Sequence, residues 1–290
     1  MKLLYYPGCT LRTVAQTFDL SAKAVAAALD IELVELTDFT CCGGLFPQTT
    51  DNLMSLLAPA RVLVHAQRTD PAQRLMTLCT FCYNTLKRTH YTLAQDAQKR
   101  AIVSEYLEEP YRAEVRVVHL LEVLRDDIGY EAISQKIAAN GAVQALQGAR
   151  VAPYYGCLLL RPSDEIGMDD PEQPTILEDL LHTLGCTVVD FPWKTECCGS
   201  FLSVSKPELA RQCSQTIVQR ATQLGAEMLV TTCPLCSYNI AYMGPNHTAM
   251  TVAYFTQLLG LALGLDQDQL GLRTDALHQQ MTSQWKGGAI

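Results

Sequence analysis

The feature that most constrains this chain is a pattern of five cysteines that occurs twice. Each copy has a single cysteine after a glycine, then an adjacent cysteine pair followed by glycine, then a C-x-x-C pair. The first copy comprises Cys9, Cys41, Cys42, Cys79 and Cys82, and the second comprises Cys157, Cys197, Cys198, Cys233 and Cys236. Matched cysteines lie about 150 residues apart throughout, which indicates that a whole unit of the chain is duplicated.

The repeat divides the 290-residue chain into two units of similar length. A unit of about 145 residues is large enough to bury a core of its own. Gly141 and Gly148 interrupt an alanine-rich stretch near the middle and place the join there. We therefore predict two domains, residues 1–148 and residues 149–290. The second ends in a polar tail, of which residues 284–290 are expected to be unstructured unless a partner orders them.

Composition excludes several classes of protein. The formal net charge is -8 and basic runs are missing, so nucleic acid is not an expected partner. The longest apolar stretch, residues 258–265, falls short of the roughly 18 residues that a membrane span needs. Cysteine content is below that of disulfide-stapled secreted domains, and an apolar signal segment is missing from the N-terminus. We expect a cytoplasmic protein, with any association with membranes supplied by partners.

Apolar strands and helices alternate in the same order in both halves. Strands are predicted at residues 2–6, 31–36 and 75–78, and again at residues 150–155, 187–191 and 227–231. A further helix over residues 93–107 belongs to the first half only. Each group of cysteines follows the carboxyl end of a strand, where α/β folds collect their ligands. The predicted fold class is α/β.

Five thiols in each unit suit a metal cluster better than a single ion. Zinc takes four ligands, which leaves one thiol of each unit unused. Adjacent cysteine side chains diverge, which is awkward for one ion and natural for a cluster of several irons. Ordinary cubane clusters also take four cysteines, at spacings that this sequence lacks. The spacing favours iron-sulfur over zinc and leaves zinc as the alternative.

Three other residues are predicted to have packing roles only. Cys186 and Cys213 have no counterparts in the repeat, and both are expected to be small core residues. His119 stands in an apolar stretch at the position that Tyr254 occupies in the second half, so a packed ring is expected there.

Charged residues and glycines flank the second set of cysteines. Arg161 and Lys194 are candidate site residues, either compensating the charge of a thiolate-rich cluster or anchoring an anionic substrate. Gly43, Gly44 and Gly199 follow the double cysteines and are expected to allow a close approach of the backbone to a cluster. No phosphate-binding glycine motif follows a strand.

The duplicated arrangement resembles the cysteine-rich CCG domain, and residues 154–162 and 168–172 are similar to the B-type polypeptide of heterodisulfide reductase. The likeness spans nearly the whole chain. It implies two pseudo-symmetric α/β domains that face each other across the cluster sites, with one noncubane [4Fe-4S] cluster on the five cysteines of each half. It further implies a disulfide oxidoreductase that cleaves a disulfide substrate to two thiols between the two clusters.

The resemblance also implies partners. These are an iron-sulfur protein of the C type with two cubane clusters and a flavin-bearing protein of the A type, both from the same complex, with a hydrogenase or formate dehydrogenase as a further partner. Similar domains occur in glycolate oxidase, in lactate-utilisation proteins, in glycerol-3-phosphate dehydrogenase subunits and in a class of succinate-quinone reductase. The alternative function is therefore an iron-sulfur electron-relay subunit of a quinone-linked dehydrogenase of the succinate, glycolate or lactate type.

Overall fold

The chain forms two four-stranded parallel sheets, one in each half. The computed structural model describes residues 1–37, 39–44, 52–70, 74–140, 146–243 and 250–272. The first sheet contains β1 (Lys2–Tyr5), β2 (Glu32–Glu35), β3 (Leu75–Thr77) and β4 (Val117–His119). The second sheet contains β5 (Arg150–Tyr154), β6 (Thr187–Val188), β7 (Met228–Thr231) and β8 (Thr251–Tyr254). The predicted α/β class is confirmed.

The two sheets share one strand order. The first runs β2-β1-β3-β4 and the second runs β6-β5-β7-β8, and every neighbouring pair is parallel. Tyr5 pairs with Met76 in the first sheet, and Tyr154 pairs with Thr231 in the second. Because parallel strands end at the same edge, the loops that follow them meet there. These loops carry the repeated cysteines.

Helices connect the strands in both halves. Those of the first half are α1 (Gly8–Leu11), α2 (Gln16–Ala28), α3 (Leu57–Thr69), α4 (Thr80–Gln95), α5 (Ala97–Leu107), α6 (Leu120–Glu122) and α7 (Tyr130–Ala139). Those of the second half are α8 (Ser163–Ile166), α9 (Ile176–Thr183), α10 (Pro207–Gln223), α11 (Pro234–Met243) and α12 (Phe255–Ala262). Single helical turns lie at Leu53–Leu56 and Ser200–Leu202, and a π-helical turn lies at Val123–Ile128.

Two predicted elements differ from the structure by more than one residue at an end. The helix expected over residues 93–107 is divided, because Asp96 has an extended backbone and its side chain accepts hydrogen bonds from the backbone N–H groups of Gln98 and Lys99. This is an N-cap, so α5 starts anew at Ala97. The strand expected at residues 187–191 ends at Val188, and the chain turns at residues 192–195.

Each half packs its last helix against the other half. Helix α12 packs on α2, and the ring of Tyr254 stacks on that of Phe18 with 4.1 Å between centroids. Helix α7 packs on α9, and the Tyr130 hydroxyl donates to the Ile176 carbonyl at 2.8 Å. One apolar core consequently contains residues of both halves. The boundary after residue 148 separates the two sheets and stays a prediction as a domain limit.

The join and the tail lie partly outside the described chain. Gly141 and residues 284–290 belong to ranges that the structure does not describe, whereas Gly148 is described and has a φ of 81°. Of the helices in the described ranges, none combines the length and the apolar character needed to cross a membrane.

Candidate metal centre

The five repeated cysteines of the first half gather beyond the carboxyl ends of β1, β2 and β3. Cys9 lies in α1, Cys42 lies on the loop after β2, and Cys82 lies in the first turn of α4. The Sγ atoms of Cys9 and Cys41 are 3.9 Å apart, and those of Cys42 and Cys82 are 3.5 Å apart. The ends of parallel strands thus bring together thiols that are far apart in sequence.

The second half repeats this arrangement. The Sγ atoms of Cys198 and Cys236 are 3.4 Å apart, which matches the pair formed by Cys42 and Cys82. Cys157 follows β5 and is hydrogen-bonded to Cys197 through their thiols. The backbone N–H of Gly199 also donates to Cys197 Sγ, at 3.3 Å.

A buried tyrosine holds the double-cysteine loop in each half. The Tyr6 hydroxyl donates to the Thr40 carbonyl at 2.9 Å, and the Tyr154 hydroxyl donates to the Glu196 carbonyl at 2.7 Å. Thr40 and Glu196 immediately precede the double cysteines. This role was not predicted from the sequence, although both tyrosines stand at the same distance before a repeated cysteine. Each tyrosine therefore fixes the entry of the chain into a thiol site.

The glycine before the single cysteine makes room for a sulfur atom. Gly8 has a φ of 70° and Gly156 has a φ of 67°, a region that favours glycine. A Cβ atom on Gly8 would lie 2.8 Å from Cys82 Sγ, and one on Gly156 would lie 3.0 Å from Cys236 Sγ. A side chain at either position would displace a thiol of the C-x-x-C pair.

The helix that begins with the C-x-x-C pair also anchors the double-cysteine loop. In the first half the Thr85 hydroxyl of α4 donates to the Gly44 carbonyl at 2.7 Å. In the second half the Asn239 amide of α11 donates to the Cys198 carbonyl and to Ser214 Oγ. Thr85 and Asn239 occupy matching positions three residues after a C-x-x-C pair. The anchor has the same position in the two halves but a different chemistry.

Hydrogen bonding among the thiols favours a thiolate at each double cysteine. Hydrogen bonding with Cys41 and then with Cys82 lowers the pKa of Cys42 to about 3. Hydrogen bonding with Cys157 lowers the pKa of Cys197 to about 6. The same bonds raise the pKa of Cys41 and of Cys157. The thiolate is the form of cysteine that binds metal, so the double cysteines are prepared for ligation.

Exposure distinguishes the two sites. Cys9 and Cys41 are exposed, whereas Cys157 and Cys197 are half-buried. The other six repeated cysteines are buried in both halves. The chain between the single and the double cysteine is longer in the second half, and α8 lies within this longer segment.

Arg161 and Lys194 stabilise this longer segment through ion pairs and hydrogen bonds to backbone carbonyls. Lys194 Nζ is 2.5 Å from a Glu178 carboxylate oxygen and donates to the Pro174 carbonyl. Arg161 pairs with the exposed Glu172 at 2.8 Å and donates to the Thr195 carbonyl at 3.2 Å. Their proposed role toward a cluster or a substrate stays a prediction.

Cys186 and Cys213 occupy different environments. Cys186 is buried, and burial raises its pKa to about 12, as expected for a core residue. Cys213 is only half-buried, and its Sγ lies 3.4 Å from the place that a Cβ on Gly199 would take. The prediction of a core position for Cys213 is wrong, because α10 presents this residue to the double-cysteine loop. The tightest neighbour of that Cβ is Ala210 Cα, at 2.9 Å, so Gly199 permits close packing of α10, and its expected role beside a cluster stays a prediction.

His119 contacts the backbone just before the C-x-x-C pair of the first half. Its ring is buried beside Tyr83 and Phe255, and its Nε2 lies 3.0 Å from the Leu78 carbonyl, one residue before Cys79. Burial lowers the pKa of His119 to about 4, so the ring is neutral at pH 7. The prediction of a packed ring at this position is confirmed.

The two thiol sites meet at the interface between the halves. Thr80 lies between Cys79 and Cys82, and its hydroxyl is 3.2 Å from the carbonyl of Thr232, the residue before Cys233. The Asn84 amide of α4 also donates to backbone carbonyls of the second half, including that of Arg161 at 2.8 Å. The cysteine edges of the two halves therefore face each other.

The donor set fits an iron-sulfur group. Each half offers five thiols. The glycine before each single cysteine leaves free the space in which a Cβ atom would meet a sulfur. In the described ranges no three His, Cys, Asp or Glu side chains gather closely enough to hold a single metal ion. A group of several irons can use all five thiols of a half, since different irons take different sulfurs.

The chain belongs to the family described as the CCG cysteine-rich domain. The family model matches residues 3–87 and, a second time, residues 151–241. The two matched stretches contain all ten repeated cysteines. The protein is thus a duplicated CCG protein, and the family implies iron-sulfur chemistry of an oxidoreductase type.

Proteins that are similar in sequence match nearly the whole length of this chain. The 8-methylmenaquinol:fumarate reductase membrane anchor subunit of Wolinella succinogenes is 29% identical, over 94% of this chain and 96% of its own length. The B-type polypeptide of the ferredoxin/F(420)H(2)-dependent CoB-CoM heterodisulfide reductase of Methanosarcina acetivorans is 26% identical, over 96% of this chain and 94% of its own length. A protein of Archaeoglobus profundus, named as similar to the B-type polypeptide of heterodisulfide reductase, is also 26% identical, over 91% of each chain.

A solved structure shows the same fold. The crystal structure of a hypothetical protein from Helicobacter pylori superposes with a TM-score of 0.68 at 15% sequence identity. The superposition covers 94% of this chain and 51% of the other, so this chain spans about half the length of that protein. At this identity the likeness concerns the fold alone.

Proposed function

We propose that the chain is the catalytic subunit of a heterodisulfide reductase-like complex, which reduces a disulfide to two thiols. Relatives named as the B-type polypeptide of heterodisulfide reductase, or as similar to it, cover more than nine tenths of the chain. The proposed ligands of the first noncubane [4Fe-4S] cluster are Cys9, Cys41, Cys42, Cys79 and Cys82. Those of the second are Cys157, Cys197, Cys198, Cys233 and Cys236. A cytoplasmic complex with the flavin-bearing A-type protein and the cubane-cluster C-type protein, joined by a hydrogenase or formate dehydrogenase, belongs to the same proposal.

The observation that carries the proposal is the contact between two equivalent thiol sites. Thr80 and Thr232 join the two C-x-x-C segments directly, at 3.2 Å between hydroxyl and carbonyl. The single cysteine and the first of the double cysteines are the more accessible members of each site, since Cys9 and Cys41 are exposed and Cys157 and Cys197 are half-buried. A small disulfide between the halves can therefore meet an equivalent group with each of its two sulfurs.

The reaction consumes two electrons and two protons and turns one disulfide into two thiols. Iron-sulfur clusters, when bound, supply electrons singly and offer iron sites to which thiolate sulfur can bind. The chain holds the two sites at a fixed separation through Thr80, Thr232 and Asn84. Tyr6 and Tyr154 keep the double-cysteine loops in place. The proposed source of the electrons is the iron-sulfur and flavin groups of the partner proteins.

One relative favours a second candidate function. The protein of Wolinella succinogenes that is 29% identical to this chain is named as the membrane anchor subunit of a menaquinol:fumarate reductase. By analogy, this chain would pass electrons between a quinone-linked dehydrogenase and its partner without breaking a bond in a substrate. A relay needs clusters within tunnelling distance of each other, but it does not need two equivalent sites.

The test uses the full chain, purified anaerobically with its clusters. Reduced viologen supplies electrons, and cystine, glutathione disulfide and hydroxyethyl disulfide serve as probes. We expect Cys41→Ser and Cys197→Ser to abolish disulfide-dependent viologen oxidation equally, because each half binds one sulfur. Cys186→Ser is the matched control, since Cys186 is a buried thiol outside the repeat, and it should retain activity.

Spectroscopy of the oxidised protein separates the two candidate functions. Added thiol should change the electron paramagnetic resonance signal, because the proposal requires substrate sulfur to reach iron. Reduction of quinones without reduction of any disulfide, together with a signal that thiol leaves unchanged, would support the relay. Full disulfide reductase activity in only one of the two cysteine variants would also contradict the proposal.

A further inference from the structure

A cavity of about 240 Å³ lies beside the double-cysteine loop of the first half. One wall is the chain that leads to Cys41, with Phe39 and Thr40. The other walls are α3 and the carboxyl end of α5, which contributes Leu107 and is followed by Glu109. The cavity is thus distinct from the interface at which the two C-x-x-C segments meet.

Helix α3 lines the cavity with a basic stripe. Arg61, His65 and Arg68 are one turn apart, so their side chains lie on the same face of the helix. Arg61 is exposed and forms no hydrogen bond or ion pair with any residue that the structure describes. Arg68 is 3.5 Å from Glu109, whose single carboxylate does not offset two guanidinium groups. The lining residues that the structure describes therefore carry a net positive charge.

The lining also includes apolar side chains. These are Phe39 and Leu107, together with Val62 and Val64, which are almost completely buried. Phe39 also packs edge-on against Tyr6, with 5.0 Å between ring centroids. Small-molecule sites commonly combine apolar walls with a few polar groups that orient the ligand. Guanidinium groups bind carboxylate and phosphate by charge-assisted hydrogen bonds.

The second half lacks the features that build this cavity. At the places on α10 that correspond to Arg61, His65 and Arg68, counted back from the C-x-x-C pair, the sequence has Gln215, Gln219 and Thr222. Only residues 244–250 separate α11 from β8, which is too few for a helix as long as α5. The basic stripe and the additional helix thus occur together, in one half of a duplicated chain.

We infer that this cavity binds a small organic anion, whose acidic group pairs with Arg61 and Arg68 while its short apolar body lies against Phe39 and Leu107. This inference goes beyond the proposed function, because disulfide reduction makes no use of the cavity. Thr40 connects the two places: it lines the cavity, and its carbonyl accepts the Tyr6 hydroxyl one residue before Cys41. The cavity therefore adjoins the first thiol site and not the second.

Calorimetric titration of the anaerobically purified full chain tests the inference. The probes are butyrate and butyl phosphate, with n-butanol as the neutral analogue and inorganic phosphate as the analogue without an apolar body. We expect saturable binding of at least one organic anion with a Kd below about 1 mM, and weaker binding of both analogues. Arg61→Gln should weaken that binding about tenfold or more.

Arg211→Gln on α10 is the matched control. Arg211 is a partly exposed arginine, paired with Glu208 on the corresponding helix of the second half, so this variant makes the same change of charge away from the cavity. It should bind the probe as tightly as the unmodified chain. Thermal unfolding checks that both variants are folded.

Four results would overturn the inference. They are the absence of saturable binding, equal binding of n-butanol, equal binding of inorganic phosphate, and an affinity that Arg61→Gln leaves unchanged. Binding is measured without turnover, so failure here leaves the proposed disulfide reductase function standing, and failure of that function leaves this site standing.

Discussion

In the first half Cys9 and Cys41 are exposed, whereas Cys157 and Cys197 are half-buried at the corresponding positions of the second half. Three devices at the thiol sites are nonetheless the same in both halves: a glycine that makes space for a sulfur, a tyrosine that holds the loop, and close contact between the double cysteine and the C-x-x-C pair. The duplication has kept these three devices. The inserted segments outside them differ between the halves.

Each half has a segment that the other half lacks, and one of these two segments also joins the halves. Helix α8 belongs to the longer segment of the second half, and it packs on α4 of the first half. Arg88 of α4 pairs there with Glu165 at 2.7 Å, and both side chains are mostly buried. Helix α5, which is peculiar to the first half, instead forms a wall of the basic cavity. One insertion therefore stabilises the interface, and the other builds a surface site.

The largest expected effect comes from the glycines beside the single cysteines. Gly8→Ala and Gly156→Ala each place a Cβ about 3 Å from a thiol, at a positive φ that alanine adopts at a cost of about 1–2 kcal/mol. We expect each variant to lose the metal of its own half, which is about half of the iron. Iron analysis of the anaerobically purified protein measures this loss.

Gly148→Ala is the control that distinguishes the effect of backbone strain from the effect of contact with a sulfur atom. Gly148 has a φ of 81°, and no atom lies within 4 Å of the place that its Cβ would take. This variant carries similar strain and should retain all its iron. Equal loss of iron in Gly148→Ala would show that strain alone acts, and full retention in Gly8→Ala would remove the proposed role of the glycine.

The next effect tests whether Lys194 is structural. Lys194 and Glu178 are both mostly buried, so Lys194→Met leaves a carboxylate that keeps the Tyr155 hydroxyl as a donor but has no cation, and it should lower the free energy of unfolding by about 2 kcal/mol. Lys23 of the first half pairs with Asp19 at 2.7 Å but is more exposed, so Lys23→Met should cost at most about 1 kcal/mol.

Chemical denaturation compares these variants. The double variant Lys194→Met/Glu178→Gln should recover part of the stability, because it no longer buries an unpaired charge. Disulfide reductase activity should persist in folded Lys194→Met if the lysine acts only through Glu178. Loss of activity with unchanged stability would instead assign Lys194 to the substrate or to a cluster.

The sequence was sufficient to predict the thiol sites, because their residues are close to strand ends and the pattern occurs twice. It was also sufficient for the α/β class, since short apolar runs alternate with helical segments. The cap at Asp96 was readable in principle, because an aspartate precedes a strongly helical segment, and it accounts for the missed division of α4 and α5.

Other features depend on tertiary paths that local patterns do not encode. The partners of Tyr6 and Tyr154 are backbone carbonyls on loops far along the chain, so the pattern showed the tyrosines without their role. Cys213 was expected in the core, but Leu209, four residues before it on α10, is 43% exposed, and Cys213 itself is half-buried at the margin of the buried helical face.

A smaller effect is expected at the tyrosines. Tyr6→Phe and Tyr154→Phe each remove one hydrogen bond to the carbonyl before a double cysteine, and each should lower the free energy of unfolding by about 1–2 kcal/mol. Because the two bonds are equivalent, the two costs should agree within experimental error. A cost in one half only, measured by chemical denaturation, would mean that the other loop is held by different contacts.

The smallest effects concern the two cysteines that the duplication does not explain. Cys186→Ala removes a buried sulfur and should lower the free energy of unfolding by about 1 kcal/mol, whereas Cys213→Ala removes a half-buried one and should cost less than about 0.5 kcal/mol. Neither variant should change the iron content, because the five thiols of each half complete the proposed ligand set. The measurements are chemical denaturation and iron analysis of the same samples. Loss of iron in Cys213→Ala, with Cys186→Ala unaffected, would make Cys213 a ligand of the second site, and the two halves would then differ in their metal chemistry as well as in their exposure.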